Sequence, residues 1–338
     1  MSTSKKQVVK DQTVTNYSGK FDIGESISVG LGTFRAGAIQ LSGGNGVGGN
    51  IAPTGDVNLD STALMLNYNL TENVSFLGGI TQNSLKDGNV TTLTGSYDVS
   101  GATETGYLFG AAYSIPEIAL KAEITYQPKT KFATKTTFAL SQAMICGAVA
   151  LNGGDCANLT SANAQIRKGT QLAYDGAEAA LTDNASATSL SLPETFAVNF
   201  QTGIATDTLL TASCRQASWG QSQIKISAPA TAAIETQFAD SEAYSIGIGR
   251  KFSEALSGSL TYSKEGGGSS TSKSLFTVSN GSEAISIGLQ YKLENMTVSG
   301  GISKRNVGDV TVTDAAAGQM IYKGNSVTAM GVKIAFAF

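Results

Sequence analysis

The stretch Glu283–Glu294, EAISIGLQYKLE, decides the fold class of this 338-residue chain. Apolar residues occupy every second position, and small or polar residues stand between them. The apolar positions are Ile285, Ile287, Leu289, Tyr291 and Leu293. This alternation is the pattern of a β-strand with one apolar and one polar face. The segment therefore predicts a strand that separates two different environments.

The same period of two continues along most of the chain. It predicts strands near residues 59–70, 74–94, 104–115, 118–138, 190–205, 208–226, 243–252, 255–266, 283–293, 296–312 and 325–338. Residues 17–42 allow one or two more. Tight turns alternate with long connections, which lie near residues 36–57, 95–103, 139–187, 227–242, 267–282 and 313–324.

Short turns at one end and long loops at the other are typical of barrels in the bacterial outer membrane. We therefore predict an all-β, antiparallel, up-and-down transmembrane β-barrel of about 12–14 strands, a size within the range of such proteins. The barrel is expected over residues 58–338, with a long extracellular loop at 139–187. Residues 1–57 are expected to form a partly irregular N-terminal segment.

The composition excludes several functional classes. Charged residues make up 14% of the chain, compared with roughly 25% in soluble domains. This low charge favours a lipid-facing surface over a soluble β-sandwich, whose outer face is normally charged. The chain contains no histidine, so Ser-His-Asp triads and histidine-ligated metals are excluded. We predict no catalytic residue, metal or cofactor, and the net charge of −3 argues against nucleic-acid binding.

Two cysteines lie close together in the stretch Met144–Cys156, MICGAVALNGGDC. The spacing of Cys146 and Cys156 allows a disulfide that closes a small loop in an oxidising compartment. The alternative is two free thiols. Two cysteines without other ligands are a poor zinc site.

Four stretches together resemble the outer-membrane fatty-acid and hydrocarbon transporter family (FadL-like, of the TodX type). They are Gly106–Lys129, Leu192–Trp219, Tyr244–Gly266 and Gly331–Phe338. The most specific feature is the Leu-Pro-Glu sequence at Leu192–Glu194, followed one hairpin later by Trp219. The resemblance covers the chain from about residue 58 to its end. The family's N-terminal hatch, with its Asn-Pro-Ala motif, and its first strands have no recognisable counterpart in residues 1–57.

The resemblance implies passive uptake of long-chain fatty acids or similar hydrophobic small molecules across the outer membrane of a Gram-negative bacterium. In this mechanism the extracellular loops capture the ligand, which enters the lumen and leaves sideways into the membrane when the hatch shifts. A general diffusion porin for hydrophilic solutes and a surface-recognition barrel are the alternatives. The partners expected are the hydrophobic ligand, outer-membrane lipid and the barrel assembly machinery. The last would recognise the aromatic-terminated strand Gly331–Phe338.

The apolar ligand candidates lie in and near the long loop. Phe138, Leu140, Met144 and Ile145 have partly helical spacing, which suits a capture role. The alternative is a loop that packs on the barrel rim. Trp219 is expected either to line the ligand path or to anchor the rim.

A carboxylate head group needs a cation, because burying an unpaired charge is costly. The strand positions that face the lumen carry Lys121, Arg215, Lys251, Lys292 and Lys333. Arg215 and Lys251 are the leading candidates because they lie on neighbouring predicted strands. The alternative is that these cations pair with Glu123 or another luminal acid, or are hydrated.

Overall fold

The computed structural model describes residues 8–43, 52–181, 183–228, 231–314 and 318–337, which are mostly β-strand. The first strands are β1 (Ser18–Ile23), β2 (Ile27–Ser42), β3 (Thr54–Asn69), β4 (Val74–Leu85), β5 (Gly88–Thr91), β6 (Gly95–Val99), β7 (Ala102–Ile115), β8 (Leu120–Gln127), β9 (Thr130–Leu140), β10 (Asp183–Leu192) and β11 (Thr195–Ala205). The remaining strands are β12 (Thr208–Ala217), β13 (Lys225–Ala228), β14 (Thr231–Glu235), β15 (Ser241–Lys251), β16 (Leu256–Glu265), β17 (Thr271–Ser272), β18 (Ser282–Lys292), β19 (Met296–Val307), β20 (Val310–Asp314), β21 (Gly318–Tyr322) and β22 (Ser326–Phe336). Two α-helices, α1 (Gln142–Leu151) and α2 (Ala164–Leu181), lie in the longest loop, and short 3-10 helices cover Pro116–Ile118, Cys156–Thr160 and Trp219–Gln221.

One antiparallel ladder forms the wall of the molecule. Its strands pair in the order β1, β2, β3, β4, β7, β8, β11, β12, β15, β16, β18, β19 and β22. Short turns join them at one end, here the turn end, and long insertions join them at the other, here the loop end. The predicted all-β antiparallel meander is therefore confirmed.

The outward face of the wall is an exposed apolar band. On β18, Ile285, Ile287 and Leu289 are 56%, 53% and 57% exposed, and their partners on β16 and β19 continue the same face. The alternate residues Ser286 and Gly288 point inward. Apolar side chains therefore cover the outside of the ladder, where a soluble protein would place charge.

Towards the loop end, the apolar residues change sides. On β3, Leu64 and Leu66 point outward, whereas Val57 and Leu59 are buried on the inward face. The outward positions here are polar, and the Asp60 carboxylate accepts a 2.6 Å ion pair from the Arg35 guanidinium. The wall thus has an apolar exterior near the turns and an apolar interior near the loops.

A two-stranded ribbon shows the same inversion within a few residues. On β8, Tyr126 points outward, but on β9 the residues of the same parity, including Phe132 and Phe138, are buried. The β8–β11 and β9–β10 ladders are separated by Pro128 and Pro193. Proline has no N–H to donate, so two prolines at one level interrupt the ladder. On the loop-end side of this interruption, the opposite face of the ribbon points inward.

Several predicted loops are themselves paired strands, which corrects the predicted boundaries. The predicted strand 74–94 is divided into β4 and β5, and the predicted loop 95–103 contains β6. Strand β9 continues to Leu140 and β10 begins at Asp183, so the longest connection is shorter than 139–187. These loop-end strands pair with one another in the order β3, β5, β6, β9, β10, β13 and β14. Inward apolar residues of β3, β5, β6, β9 and β10 share one buried cluster.

The sheet curls around an interior, here the lumen, because residues near both ends of the ladder line one chamber. Strands β1 and β22 are the two ends of the ladder, and both run towards the turn end. Within the described part of the chain, no ladder joins these two strands. Among the described residues, neither helix is both long and apolar enough to cross a membrane.

Candidate functional site

An apolar cavity of about 1190 Å³, here the upper chamber, lies inside the loop end of the wall. Its larger apolar lining residues come from β2, β3, β4, β10, β19 and three loops. They are Ile39, Val57, Leu59, Leu85, Leu190, Leu192, Trp219, Ile224, Phe238, Phe276, Val278 and Val307. The volume is somewhat above the usual range for small-molecule pockets, about 300–1,000 Å³. Burial of apolar surface here stabilises a bound ligand by roughly 0.8 kcal/mol per CH₂.

Four charged residues also line the upper chamber: Asp240, Glu265, Lys273 and Arg305. The Arg305 Nη1 atom lies 3.6 Å from the Glu265 carboxylate and donates a 2.9 Å hydrogen bond to the Ser282 hydroxyl. Asp240 accepts a 2.6 Å hydrogen bond from the Gly220 backbone N–H. Lys273 is exposed and makes no ion pair with any described residue. Lys273 is therefore the lining cation that is free to meet an anionic group.

Trp219 lines the upper chamber, and its place on a ligand path stays a prediction. It opens a 3-10 helix after β12, and its ring packs edge-on against Phe238 with the ring centroids 5.6 Å apart. The Gln223 side chain fixes the position of Phe238: its amide N–H donates to the Phe238 carbonyl, and its amide oxygen accepts from the Phe238 N–H. The two rings form one rigid side of the chamber.

The apolar residues proposed for ligand capture are not placed together. Phe138 is 1% exposed and packs on Tyr97 in the wall, with the ring centroids 4.6 Å apart, and Leu140 packs against the same cluster. The sequence predicts Phe138 at the end of a strand, next to the long loop. The pairing of β9 with β6 and β10 buries it. Met144 and Ile145 lie on α1, where Met144 is exposed and Ile145 is buried.

The helical part of the longest loop is closed by a disulfide. Cys146 on α1 is bonded to Cys156, with the Cα atoms 5.5 Å apart. The Ser141 hydroxyl caps α1 by accepting from the Met144 N–H. Because α1 packs on α2, the disulfide holds this helical hairpin at the loop end of the molecule.

The proposed head-group pair is wrong in its geometry. Both side chains face the lumen, but Arg215 is paired with Ala243 near the loop end, whereas Lys251 is the last residue of β15 at the turn end. Eight residues of strand separate Ala243 from Lys251, about 27 Å at 3.4 Å per residue. One carboxylate cannot contact both cations. Alternation along a strand predicts which side chains face inward, but it does not determine where two residues lie along the length of the wall.

Lys121 follows the other alternative, because its ammonium lies 2.8 Å from the Glu123 carboxylate. Lys251 instead lines a second cavity of about 850 Å³ at the turn end, here the lower lumen. Small residues such as Gly249, Ser259 and Gly288 also line it. The loop-end cavity thus carries the larger apolar side chains, and the turn-end cavity combines small residues with charged ones.

The sequence analysis missed most of the chamber residues, including Val57, Leu59, Phe276 and Lys273. A signal was present on β3, where apolar residues move from even positions at Leu64 and Leu66 to odd positions at Leu59 and Val57. Such a phase change marks the point where a strand leaves lipid and begins to enclose an apolar interior. No comparable periodicity marks Lys273 or Phe276, which lie in an irregular loop.

A second buried cluster closes the loop end near the chamber. The hairpin β20–β21 buries Val310, Val312 and Tyr322, and β17 adds a short parallel pairing. Burial raises the pKa of the Tyr322 hydroxyl above its ordinary value. Tyr322 therefore remains neutral at physiological pH and serves as a packing residue.

No protein-family model matches the chain, and no curated protein matches its sequence. Among solved structures, a Pseudomonas aeruginosa FadL homologue has a TM-score of 0.70 and 12% identity, covering 94% of this chain and 76% of its own. The chain has the FadL-type fold. The P. putida toluene transporter TodX covers 95% of this chain and 82% of its own, with a TM-score of 0.61 and 11% identity. The CymD monoaromatic hydrocarbon channel gives the same coverages, a TM-score of 0.59 and 10% identity.

The similarity confirms, at the level of the fold, the resemblance drawn from the sequence. Within the FadL-type fold of this chain, the upper chamber carries the larger apolar side chains, and the lower lumen combines small residues with Glu117, Asp207, Arg250 and Lys251. The chemistry available is therefore noncovalent binding: apolar contact near the loops, and hydration and charge near the turns.

Proposed function

We propose that this protein is an outer-membrane channel of a Gram-negative bacterium that takes up hydrophobic small molecules by passive binding in the upper chamber. The observation that carries the proposal is the inversion of the wall. An exposed apolar band suits lipid on the outside, and an apolar cavity of about 1190 Å³ suits a ligand on the inside. In this orientation the turn end faces the periplasm and the loop end faces outward.

Two further features support this assignment. The solved structures of the same fold include a toluene transporter and a monoaromatic hydrocarbon channel, so the fold accommodates apolar cargo. The terminal strand also presents Val332, Ile334 and Phe336 outward, where lipid would contact them. Recognition of this strand by the assembly machinery stays a prediction, and Phe338 lies outside the described residues.

The role of the upper chamber in ligand binding is tested by a substitution that fills part of its volume. Leu190→Trp places a larger ring in the lining, and Leu289→Trp places the same ring on the lipid-facing side of β18. In detergent, we expect Leu190→Trp to weaken binding of a hydrophobic fluorescent probe by about tenfold, which corresponds to about 1.4 kcal/mol. Leu289→Trp should leave the affinity unchanged. Equal affinities for both variants and the parent chain would remove the upper chamber from the proposal.

We further propose that the ligand class includes long-chain fatty acids, with the carboxylate held by Lys273. The support is that Lys273 is the free cation beside the apolar lining, because Arg305 is already engaged by Glu265. A hydrogen bond to a charged partner contributes about 1.5–3 kcal/mol. The fatty acid would therefore bind with its tail against the apolar residues and its head group near the loops.

The matched test compares oleate with methyl oleate, which has the same tail and no charge. In Lys273→Met, oleate affinity should fall by about tenfold or more, and methyl oleate affinity should be unchanged. Lys264→Met is the control, because Lys264 lies on the outward face and pairs with Glu283. An equal loss for both ligands would indicate a distorted chamber and not a head-group contact.

A further inference from the structure

The inward face of β15, β16, β18, β19 and β22 is lined by small residues. One row of paired positions across these five strands reads Gly249, Ser259, Gly288, Gly301 and Gly331. A Cβ added at Gly331 would meet no atom within 4 Å. Because no large side chains project from this row, this sector of the lower lumen leaves room for water.

The next inward row towards the turn end is polar and carries a lysine at each end. Its paired positions are Lys251, Ser257, Gln290, Ser299 and Lys333, here the luminal row. Gln290 links the middle of the row, because its amide shares hydrogen bonds of 3.4 Å with Ser257 and 3.3 Å with Ser299. Lys292 faces inward one row closer to the turn end. Adjacent strands lie about 4.8 Å apart, so the two end lysines are about 19 Å apart along the wall.

Three lysines face inward near the turn end. Lys251, Lys292 and Lys333 are exposed and form no ion pair with any residue that the structure describes. The inward acids near the turn end are already compensated: Asp22 pairs with Lys20 at 2.7 Å and Glu123 with Lys121 at 2.8 Å. Three positive charges on alternate strands are therefore left facing the water-filled side.

Acidic residues at the turns attract cations, whereas the inward lysines attract anions. The acidic residues are Glu25, Glu72, Glu117, Asp207, Glu254 and Glu294, and all are exposed. Glu117 and Asp207 line the lower lumen together with Arg250 and Lys251, and these four charges sum to zero. The other four acids are exposed at turns outside that cavity, where salt screens charges over about 8 Å. Inside the lumen a permeating ion passes closer to the lysines, and at about 6 Å in water one charge changes the local ion concentration roughly threefold. The inward lysines are therefore expected to decide the selectivity.

We propose that the lower lumen is an anion-selective aqueous path, in which Lys251, Lys292 and Lys333 attract small inorganic anions. Rings of lysine and arginine are a known way to build an anion pore. The proposal is independent of ligand binding in the upper chamber, because its residues lie at the opposite end of the wall.

The test measures ion selectivity of the full chain in planar bilayers under a potassium chloride gradient. We expect chloride to permeate at least about threefold faster than potassium. The triple variant Lys251→Gln, Lys292→Gln and Lys333→Gln should bring this ratio close to one. Lys304→Gln is the control, because Lys304 on β19 pairs with Ile285 on the outward face and does not line the lower lumen; its ratio should equal that of the parent chain.

Folding of each variant is checked separately by strand content and by binding of the hydrophobic probe to the upper chamber. A folded parent chain that preferred potassium, or that conducted no ions, would overturn the proposal. So would a folded triple variant that kept the parent ratio, or a Lys304→Gln variant that lost it. Loss of probe binding with anion selectivity intact would instead count against the proposed uptake function alone.

Discussion

Gly106 on β7 shows how tightly single positions are constrained where the apolar chamber meets the polar lumen. A Cβ at this position would lie 2.6 Å from Thr81 Oγ1, 2.8 Å from Asn83 Nδ2 and 2.8 Å from Thr130 Oγ1. These three side chains are buried, and Asn83 bonds to both Thr81 and Ser61. None of them can move into solvent to make room. The glycine is therefore needed for close packing and not for an unusual backbone angle.

Gly106→Ala should destabilise the protein by about 1–3 kcal/mol, the usual cost of overpacking a filled site. The control is Gly331→Ala, because the added Cβ at that position meets no atom within 4 Å. Both are measured by urea unfolding in lipid, with Trp219 as the single intrinsic tryptophan. If the two variants unfolded at the same urea concentration, the packing around Gly106 would be looser than described.

At the scale of strands and loops, the predictable part of the fold is the part that contacts lipid. On β18, strict alternation follows from one apolar and one aqueous environment, so the strand was predicted within two residues at either end. The sequence does not predict the loop-end strands, because their partners are distant in sequence: β9 pairs with β6 and β10 pairs with β13. Pairing of this kind depends on the assembled chamber, and no local pattern encodes it.

The same reasoning explains which site residues could be predicted. Parity along a strand gave the inward orientation of Arg215 and Lys251, because parity is a local property. The positions of Arg215 and Lys251 along the length of the wall, and hence the distance between them, depend on the register of several ladders. The upper chamber likewise joins Ile39 on β2 with Phe276 in a distant loop, a contact that only the curled sheet creates.

The helical hairpin of α1 and α2 should depend on its disulfide while the wall does not. For a loop of about ten residues, removing the cross-link costs about 3 kcal/mol in the chain-entropy account. In the double variant Cys146→Ser and Cys156→Ser, limited proteolysis should cut within residues 141–182 faster than in the parent chain. The urea midpoint of the wall should be unchanged, because Cys146 and Cys156 lie outside its ladder.

Cys214→Ser is the control for that experiment, because Cys214 is a free thiol on β12. It should leave the proteolysis pattern as it is. A large shift of the urea midpoint in the double variant would show that the hairpin supports the wall, and this would contradict its description as a separate unit at the loop end.

For the whole molecule, the decisive property is which side of the wall faces lipid. The apolar band and the upper chamber are linked, since both follow from the change of face along the strands. An exposed apolar band of this extent would cause a protein to aggregate in water. In a bilayer, lipid tails cover the band and keep it out of water. Any backbone groups of β1 and β22 that lie in hydrocarbon must also be paired, because unpaired groups there cost several kcal/mol each.

A charge placed on each face of one strand tests this orientation directly. Ile287→Lys puts an ammonium in the middle of the outward face of β18, where the cost is about 2–4 kcal/mol near the bilayer midplane. Ser286→Lys puts the same charge one residue away, on the inward face, and removes only a 2.9 Å hydrogen bond to Ser303, a loss of about 1 kcal/mol. In urea titrations of protein folded into lipid vesicles, Ile287→Lys should therefore unfold well before Ser286→Lys. The reverse order would place lipid on the serine face, and both the chamber and the anion path would then be on the wrong side of the wall.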